Sequence, residues 1–191
     1  ASVMRSLQNI AKSHVCLLLV DPYEGMTDQD KRLCGIIMDH GRAFVVVVNK
    51  CDLVGEKEAR AIKEKNRQAL RFMPDAHVVF ASALTGEHVD RLYPLIDTLF
   101  GKTTTRVSTG RLNCLLSDIT ASHPPPLARH RPLQLYYIAQ TGIVPPRFQG
   151  VVNHPDGVPA AYSRFLAHSV KKVCGLEGIP IMVHFAGRKK D

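Results

Sequence analysis

Paired cysteines are absent from this sequence. Cys16, Cys34, Cys51, Cys114 and Cys174 are scattered, with no C-x-x-C pair and no regular spacing, which argues against a disulfide framework or a zinc cage and favours a reducing compartment. Long apolar runs are also missing. The longest nearly unbroken one, Val15 to Val20, falls far short of the ~20 residues of a membrane span, and no signal-peptide pattern opens the chain. A cytoplasmic protein without a membrane partner is expected. No histidine pairs with a cysteine or an acid at metal-ligand spacing, so no metal site is expected and the histidines read as turn or surface residues. Acid is scarce in one region only: residues 101–191 hold 12 Lys and Arg against 4 Asp and Glu, whereas residues 1–100 hold 13 of each. The net charge of +8 over 191 residues therefore belongs to the second half. That imbalance favours a nucleic-acid partner for that half.

What is present in the first half alternates between helix and strand. Residues 3–11 read as a helix that starts almost with the chain, which suggests a fragment beginning inside a domain. Val15 to Val20 suits a strand covered on both faces, and Asp21-Pro22 ends it. Thr27 with Asp30 three residues later resembles a capping box, opening a helix that stops at Gly41. Ala43 to Val48 is a buried, β-branched strand. Glu56 to Phe72 reads as a solvated helix with Ala59, Ile62, Asn66, Ala69 and Met73 on its inner stripe, His77 to Ala81 as a third strand, and Glu87 to Phe100 as a closing helix. Strands separated by helices imply right-handed crossovers and a parallel sheet.

In such sheets ligands bind beyond the carboxyl ends of the strands. Asn49-Lys50-Cys51-Asp52 follows the second strand and Ser82-Ala83-Leu84-Thr85-Gly86 the third. An Asp carboxylate held there accepts from the two adjacent N–H donors on the Watson–Crick edge of guanine, a pattern adenine cannot supply, so Asp52 is the candidate base selector. Asn49 would tie the loop and reach the far edge of the base, the Lys50 stem would lie along its face, and the Ala83 N–H would donate to the guanine oxygen, with Ser82 in the same loop. A polar turn after a strand would use Asn and Asp in the same places. The neighbouring S-A-L loop favours guanine, and the two loops resemble the fourth and fifth motifs of the GTPase superfamily.

The phosphate machinery is missing. A P-loop needs a glycine, four residues and then G-K-[ST], so that bare N–H groups cradle the phosphates. Gly101-Lys102-Thr103 is the only near match, but Ile96 stands where the first glycine is required and a helix precedes it, so it reads as a helix stop. No D-x-x-G loop precedes the first helix, and D-P-Y-E at Asp21 lacks the glycine. With no catalytic residue in the chain and no Mg²⁺ clamp, no GTP hydrolysis is expected from these residues alone.

In the second half, Ser108 to Ala121 reads as a helix stopped by His123-Pro124-Pro125-Pro126. Leu133 to Gln140 alternates, with Leu133, Leu135, Tyr137 and Ala139 on one face. Phe148 to Asn153 is a second strand, and Pro159 starts a helix with Tyr162, Phe165, Leu166, Val170 and Val173 inward. Ile181, Val183 and Phe185 face the core from a last strand. Helix, strand, strand, helix, strand is similar to a KH-like nucleic-acid domain. Gly175-Leu176-Glu177-Gly178 matches the letters of a GXXG clamp but joins a helix to a strand and carries an acid, so a C-cap and turn explain it better. Arg164, His168, Lys171, Lys172, Arg188, Lys189 and Lys190 are the candidate RNA contacts. A solvated helix face and a frayed terminus would look the same.

Taken together, the chain resembles the carboxyl-terminal part of the Der (EngA) family, bacterial GTPases with two tandem G domains followed by a KH-like domain. The resemblance covers Asp21, Glu24-Gly25-Met26-Thr27 and Gln29-Asp30, then Asn49-Lys50-Cys51-Asp52-Leu53-Val54 and Ser82 to Gly86. In the second half it covers His123 to Pro126, Tyr136-Tyr137, Gln140-Thr141-Gly142, Pro145-Pro146, Asn153-His154-Pro155, Tyr162, Arg164-Phe165-Leu166 and Gly175 to Pro180. Cys51 stands where the family usually has Trp, and Gly150-Val151-Val152 is a less bulky strand than expected. The resemblance implies an α/β chain: residues 1–102 as the end of a second G domain of P-loop type with a parallel sheet, and 103–191 as a small α+β KH-like domain. It implies a parent that binds GTP and GDP with Mg²⁺, hydrolyses GTP and assists assembly of the large ribosomal subunit, in contact with ribosomal RNA and the upstream G domains. A non-catalytic RNA-binding adaptor with a vestigial G domain is the competing expectation.

Overall fold

The computed structural model describes residues 2–122, 124–128 and 131–188. They fall into two compact units. Ala1–Lys102 with Gly178–Pro180 makes the first, and Thr103–Glu177 with Ile181–Asp191 the second. Gly178–Pro180 groups with the first unit although it follows most of the second in sequence.

The first unit runs α1 (Ser2–Lys12), β1 (Val15–Val20), α2 (Asp28–Asp39), β2 (Ala43–Val48), α3 (Glu56–Ala69), β3 (His77–Phe80) and α4 (Leu92–Thr103). The sheet is parallel in the order β1-β2-β3, with Val20 opposite Val48 and Val48 opposite Phe80, so all three strands end at one edge. Every residue of the central strand β2 is buried. Phe44, Val46 and Val48 pack on one face with Ile10, Leu18, Ile37, Leu70 and Met73; Ala43, Val45 and Val47 pack on the other with Ala81, Leu99 and Ile179. A continuous β-branched run is what a strand covered on both sides requires. The capping box forms as expected: Thr27 Oγ1 accepts from the Asp30 N–H at 3.2 Å, and Asp30 Oδ2 accepts from the Thr27 N–H at 2.9 Å.

Four expectations need correction in this unit. β1 is not covered on both faces: Leu17 is 40% and Leu19 58% exposed while Leu18 and Val20 are buried. It is an edge strand of the described sheet: Val15 still packs with the Val45 and Leu99 cluster, but Leu17 and Leu19 further along the same face are open. The closing helix starts not at Glu87 but at Leu92, after a 3₁₀ turn at Val89–Arg91, because His88 takes left-handed backbone (φ 59°) that an α-helix cannot include. Gly101-Lys102-Thr103 does not stop α4 but forms its last turn. A helical interior remains as unlike a phosphate-cradling loop as a helix stop would be. α3 also ends earlier than expected, at Ala69, with Leu70 as its C-cap.

The second unit contains α5 (Thr109–Ser122), the short pair β4 (Leu127–Ala128) and β5 (Arg131–Pro132), then β6 (Leu135–Gly142), β7 (Arg147–Val152), α6 (Ala160–Cys174) and β8 (Met182–Gly187). β6 and β7 are antiparallel, and β7 and β8 parallel. The order helix, strand, strand, helix, strand is therefore present, with the β4–β5 pair added. Its core gathers Leu112, Leu116, Ile138, Phe148, Leu166, Val170 and Leu176. The alternation expected for β6 fails at one point. Ile138 is the buried residue and Tyr137 is 47% exposed, because a register shift between Leu135 and Tyr137 turns the following side chains over. The bulged strand is held by Asn113 of α5, whose Oδ1 accepts from the Ile138 N–H at 3.0 Å. Gly175, left-handed at φ 68°, caps α6, and the Leu176 N–H returns to Lys171 O at 2.8 Å, so the cap and turn expected for Gly175-Leu176-Glu177-Gly178 are present.

Candidate guanine-reading site and the basic helix

Parallel strands of matched register bring three loops to one edge: residues after Val20, after Val48 and after Phe80. Backbone hydrogen bonds lock them in series. The Asn49 N–H donates to Val20 O at 3.0 Å, the Ala81 N–H to Val48 O at 3.0 Å and the Cys51 N–H to Ala81 O at 3.2 Å. Cys51–Leu53 then forms a 3₁₀ turn closed by the Val54 N–H on Cys51 O.

Within this frame the predicted residues fall together. The Ala83 N–H donates to Asn49 Oδ1 at 3.0 Å, so Asn49 does tie the two loops. The N–H expected to meet a guanine oxygen is engaged by that side chain. Lys50 adopts left-handed backbone at φ 59°, ψ 38°, and its Nζ lies 2.8 Å from Asp21 Oδ2. The hydrogen bond from Lys50 lowers the Asp21 pKa, with the Tyr23 N–H adding to it, and the same contact with Asp21 raises that of Lys50. Tyr23 reinforces the clamp: its hydroxyl donates to Leu53 O at 2.9 Å and its N–H to Asp21 Oδ1 at 2.9 Å. The role of Asp21 is not visible in its own segment; the partner is 29 residues away and only the register of β1 with β2 brings them together.

Asp52 is exposed, and among the described residues its carboxylate has no hydrogen-bond partner. It is thus free to accept from a ligand. Ser82 is fully buried; its Oγ accepts from the Thr85 N–H at 3.2 Å and its own N–H donates to Glu87 O at 2.9 Å. Its role is to shape the loop. The loop also carries a grouping that sequence spacing did not reveal. Ligand atoms of Cys51, Glu87 and His88 all lie within 4.8 Å of one another. Burial, then the charges of Glu87 and Asp52, push the Cys51 thiol above its ordinary pKa.

In the second unit Arg164, His168 and Lys172 are exposed on α6, and Lys171 is half-buried. The Arg188 guanidinium lies over the Tyr136 ring, 5.6 Å from its centroid. Lys189 and Lys190, like His123, fall outside the described residues.

Comparison with known proteins gives a family for the chain. The profile of the Elongation factor Tu GTP binding domain matches residues 2–104. The chain belongs to that family. A second profile, described as the KH-domain-like of EngA bacterial GTPase enzymes, C-terminal, matches residues 106–186. The chain is 40% identical to GTPase Der of Myxococcus xanthus over 98% of its length and 41% of that protein's. It is 38% identical to GTPase Der of Acetivibrio thermocellus over 100% and 44%. It is 41% identical to that of Pelotomaculum thermopropionicum over 98% and 43%. The chain spans less than half the length of these relatives. Among the described residues no helix is long and apolar enough to cross a membrane.

Proposed function

We propose that this chain is the carboxyl-terminal part of a cytoplasmic GTPase acting in assembly of the large ribosomal subunit, with residues 1–102 supplying its guanine recognition and residues 103–191 an RNA-contacting KH-like domain. The observation that carries the reading is the uncommitted Asp52 carboxylate beside Asn49 and the clamped Lys50, at the edge where all three strands end. In this reading a guanine edge places its two donors on Asp52, and the Lys50 stem, held by Asp21, lies under the ring. The guanine oxygen takes the Ala83 N–H as Asn49 turns to the base. An acceptor covered by a base that offers it no donors is left unpaired, which is costly enough to reject adenine.

The residues present fit a base and not a triphosphate. No stretch of the sequence has the glycines, lysine and hydroxyl that would cradle phosphates and Mg²⁺. Hydrolysis is accordingly proposed for a longer parent, whose bound Mg²⁺ would neutralise charge on the transferred phosphoryl group. GDP and ADP titrated into the isotope-labelled chain test the base reading. Amide shifts at Asn49, Asp52 and Ala83 with GDP and none with ADP are expected; equal responses refute it.

The RNA role is supported by the exposed cations of α6 and by Arg188 stacked on Tyr136. A phosphate-contacting surface predicts affinity for ribosomal RNA that falls steeply with salt. Absent or salt-independent binding would remove the RNA role. If RNA binds and guanine nucleotides do not, the chain is the non-catalytic adaptor, its first unit a scaffold.

A further inference from the structure

The most specific chemistry outside the base-reading atoms is the grouping of a thiol, a carboxylate and an imidazole at the junction of the two loops. We infer that Cys51, Glu87 and His88 form a binding site for a borderline-soft divalent cation, zinc being the class that fits. Three observations meet there. First, the donor set is mixed sulfur, nitrogen and oxygen, which suits Zn²⁺ and disfavours Mg²⁺ or Ca²⁺, whose ligands are oxygens. Second, the ligand atoms already lie within 4.8 Å of one another, and His88 Nε2 is 3.8 Å from Glu87 Oε1. Tetrahedral zinc with bonds of about 2.0–2.3 Å requires ligand separations of about 3.4–3.6 Å. The widest pair therefore has about 1 Å to close.

Third, the backbone holds the donors in place. The Ser82 N–H bond to Glu87 O fixes the loop stem, Gly86 turns it at φ 79°, and the Cys51 N–H bond to Ala81 O sets the thiol against it. His88 occupies left-handed backbone, a conformation in which His is among the more tolerated residues but which still carries strain. Glu87 is exposed while Cys51 and His88 are half-buried, so an ion is reached from solvent and keeps its fourth position for water. As the Sγ–metal bond forms, the thiol proton leaves to bulk water. A bound ion would join the loop carrying Lys50 and Asp52 to the loop carrying Ser82 and Ala83, and the site stands whether or not those loops read guanine.

The other cysteines supply internal controls. Cys34 is fully buried with its thiol pushed up to about 12, and Cys114 is exposed with no comparable partners within the same reach among the described residues. The test is titration of the metal-free 191-residue chain with Co²⁺, followed by displacement with Zn²⁺. One equivalent of Co²⁺ with a thiolate-to-cobalt charge-transfer band, displaced by Zn²⁺, is expected. Cys51→Ser should abolish the band, and His88→Asn, which keeps a residue tolerant of left-handed backbone, should weaken binding tenfold or more. Both should leave the far-ultraviolet circular dichroism unchanged, and Cys114→Ser should leave binding intact. A band that survives Cys51→Ser, an affinity unmoved by His88→Asn, or no band in the unmodified chain overturns the site.

Discussion

Asp21 and Lys50, 29 residues apart, form an ion pair at 2.8 Å between the loops that follow β1 and β2. The pair lowers the Asp21 pKa, so its contribution has a defined sign: it is present above the unfolded pKa of an aspartate and is lost as pH falls through the lower folded value. The Asp21 carboxyl should therefore titrate below 3.8 in a carbon-detected NMR series, and Lys50→Ala should return it towards that value. A wild-type value at or above 3.8 would show the pair to be unformed in solution. Both groups being solvated, little change in global stability is expected.

Asn49 makes the other bridge between loops, through Oδ1 to the Ala83 N–H. Asn49→Ala should cost about 0.5–1.5 kcal/mol in urea unfolding, the usual worth of one such bond. Hydrogen exchange at the Ala83 amide should accelerate in the variant. Unaltered exchange would mean the bond is not populated.

Gly178 sits at φ +81° with its N–H on Asp75 Oδ2 at 2.7 Å, and a Cβ there would lie 3.0 Å from His77 Nε2. Gly178→Ala should destabilise the first unit by about 1–2 kcal/mol from the left-handed backbone, before any clash with the ring. Thermal unfolding followed with Gly175→Ala as a comparison separates the two costs. Gly175 has φ +68° but open space where its Cβ would go, so equal losses would deny the contact with His77.

The bulge in β6 gives a fourth contrast. Ile138 is 1% exposed and Tyr137 47%. Ile138→Ala should cost about 2–5 kcal/mol, whereas Tyr137→Ala should stay near 0.5 kcal/mol or below. The reverse order would restore simple alternation.

Much of this architecture was legible in the sequence, and the exceptions have causes. The β-branched run of β2 and the Thr27–Asp30 box state their structures locally. Alternation in β6 misled because one extra residue between Leu135 and Tyr137 turns over the side chains that follow, up to a second shift between Gln140 and Gly142, and no residue in the run announces it. Leu17 and Leu19 read as buried because an apolar run does not reveal whether both faces have neighbours. Asn49, Lys50 and Asp52 were legible because one short loop carries them. Asp21 and the Cys51–Glu87–His88 grouping were not, since their members lie in different loops and only strand register brings them together. His88 in left-handed backbone likewise shortened the helix that its surrounding apolar spacing suggested.

The central claim is that Asp52 selects guanine, and an exchange of acceptor for donor at that atom tests it most directly. In the longest natural protein containing this sequence, Asp52→Asn should weaken GDP binding and favour the xanthine nucleotide, whose ring presents an acceptor where guanine has a donor. A side-by-side titration of GDP and XDP against wild type and variant reads this out. An inverted preference is the predicted result; guanine preference unchanged by the substitution would contradict the account.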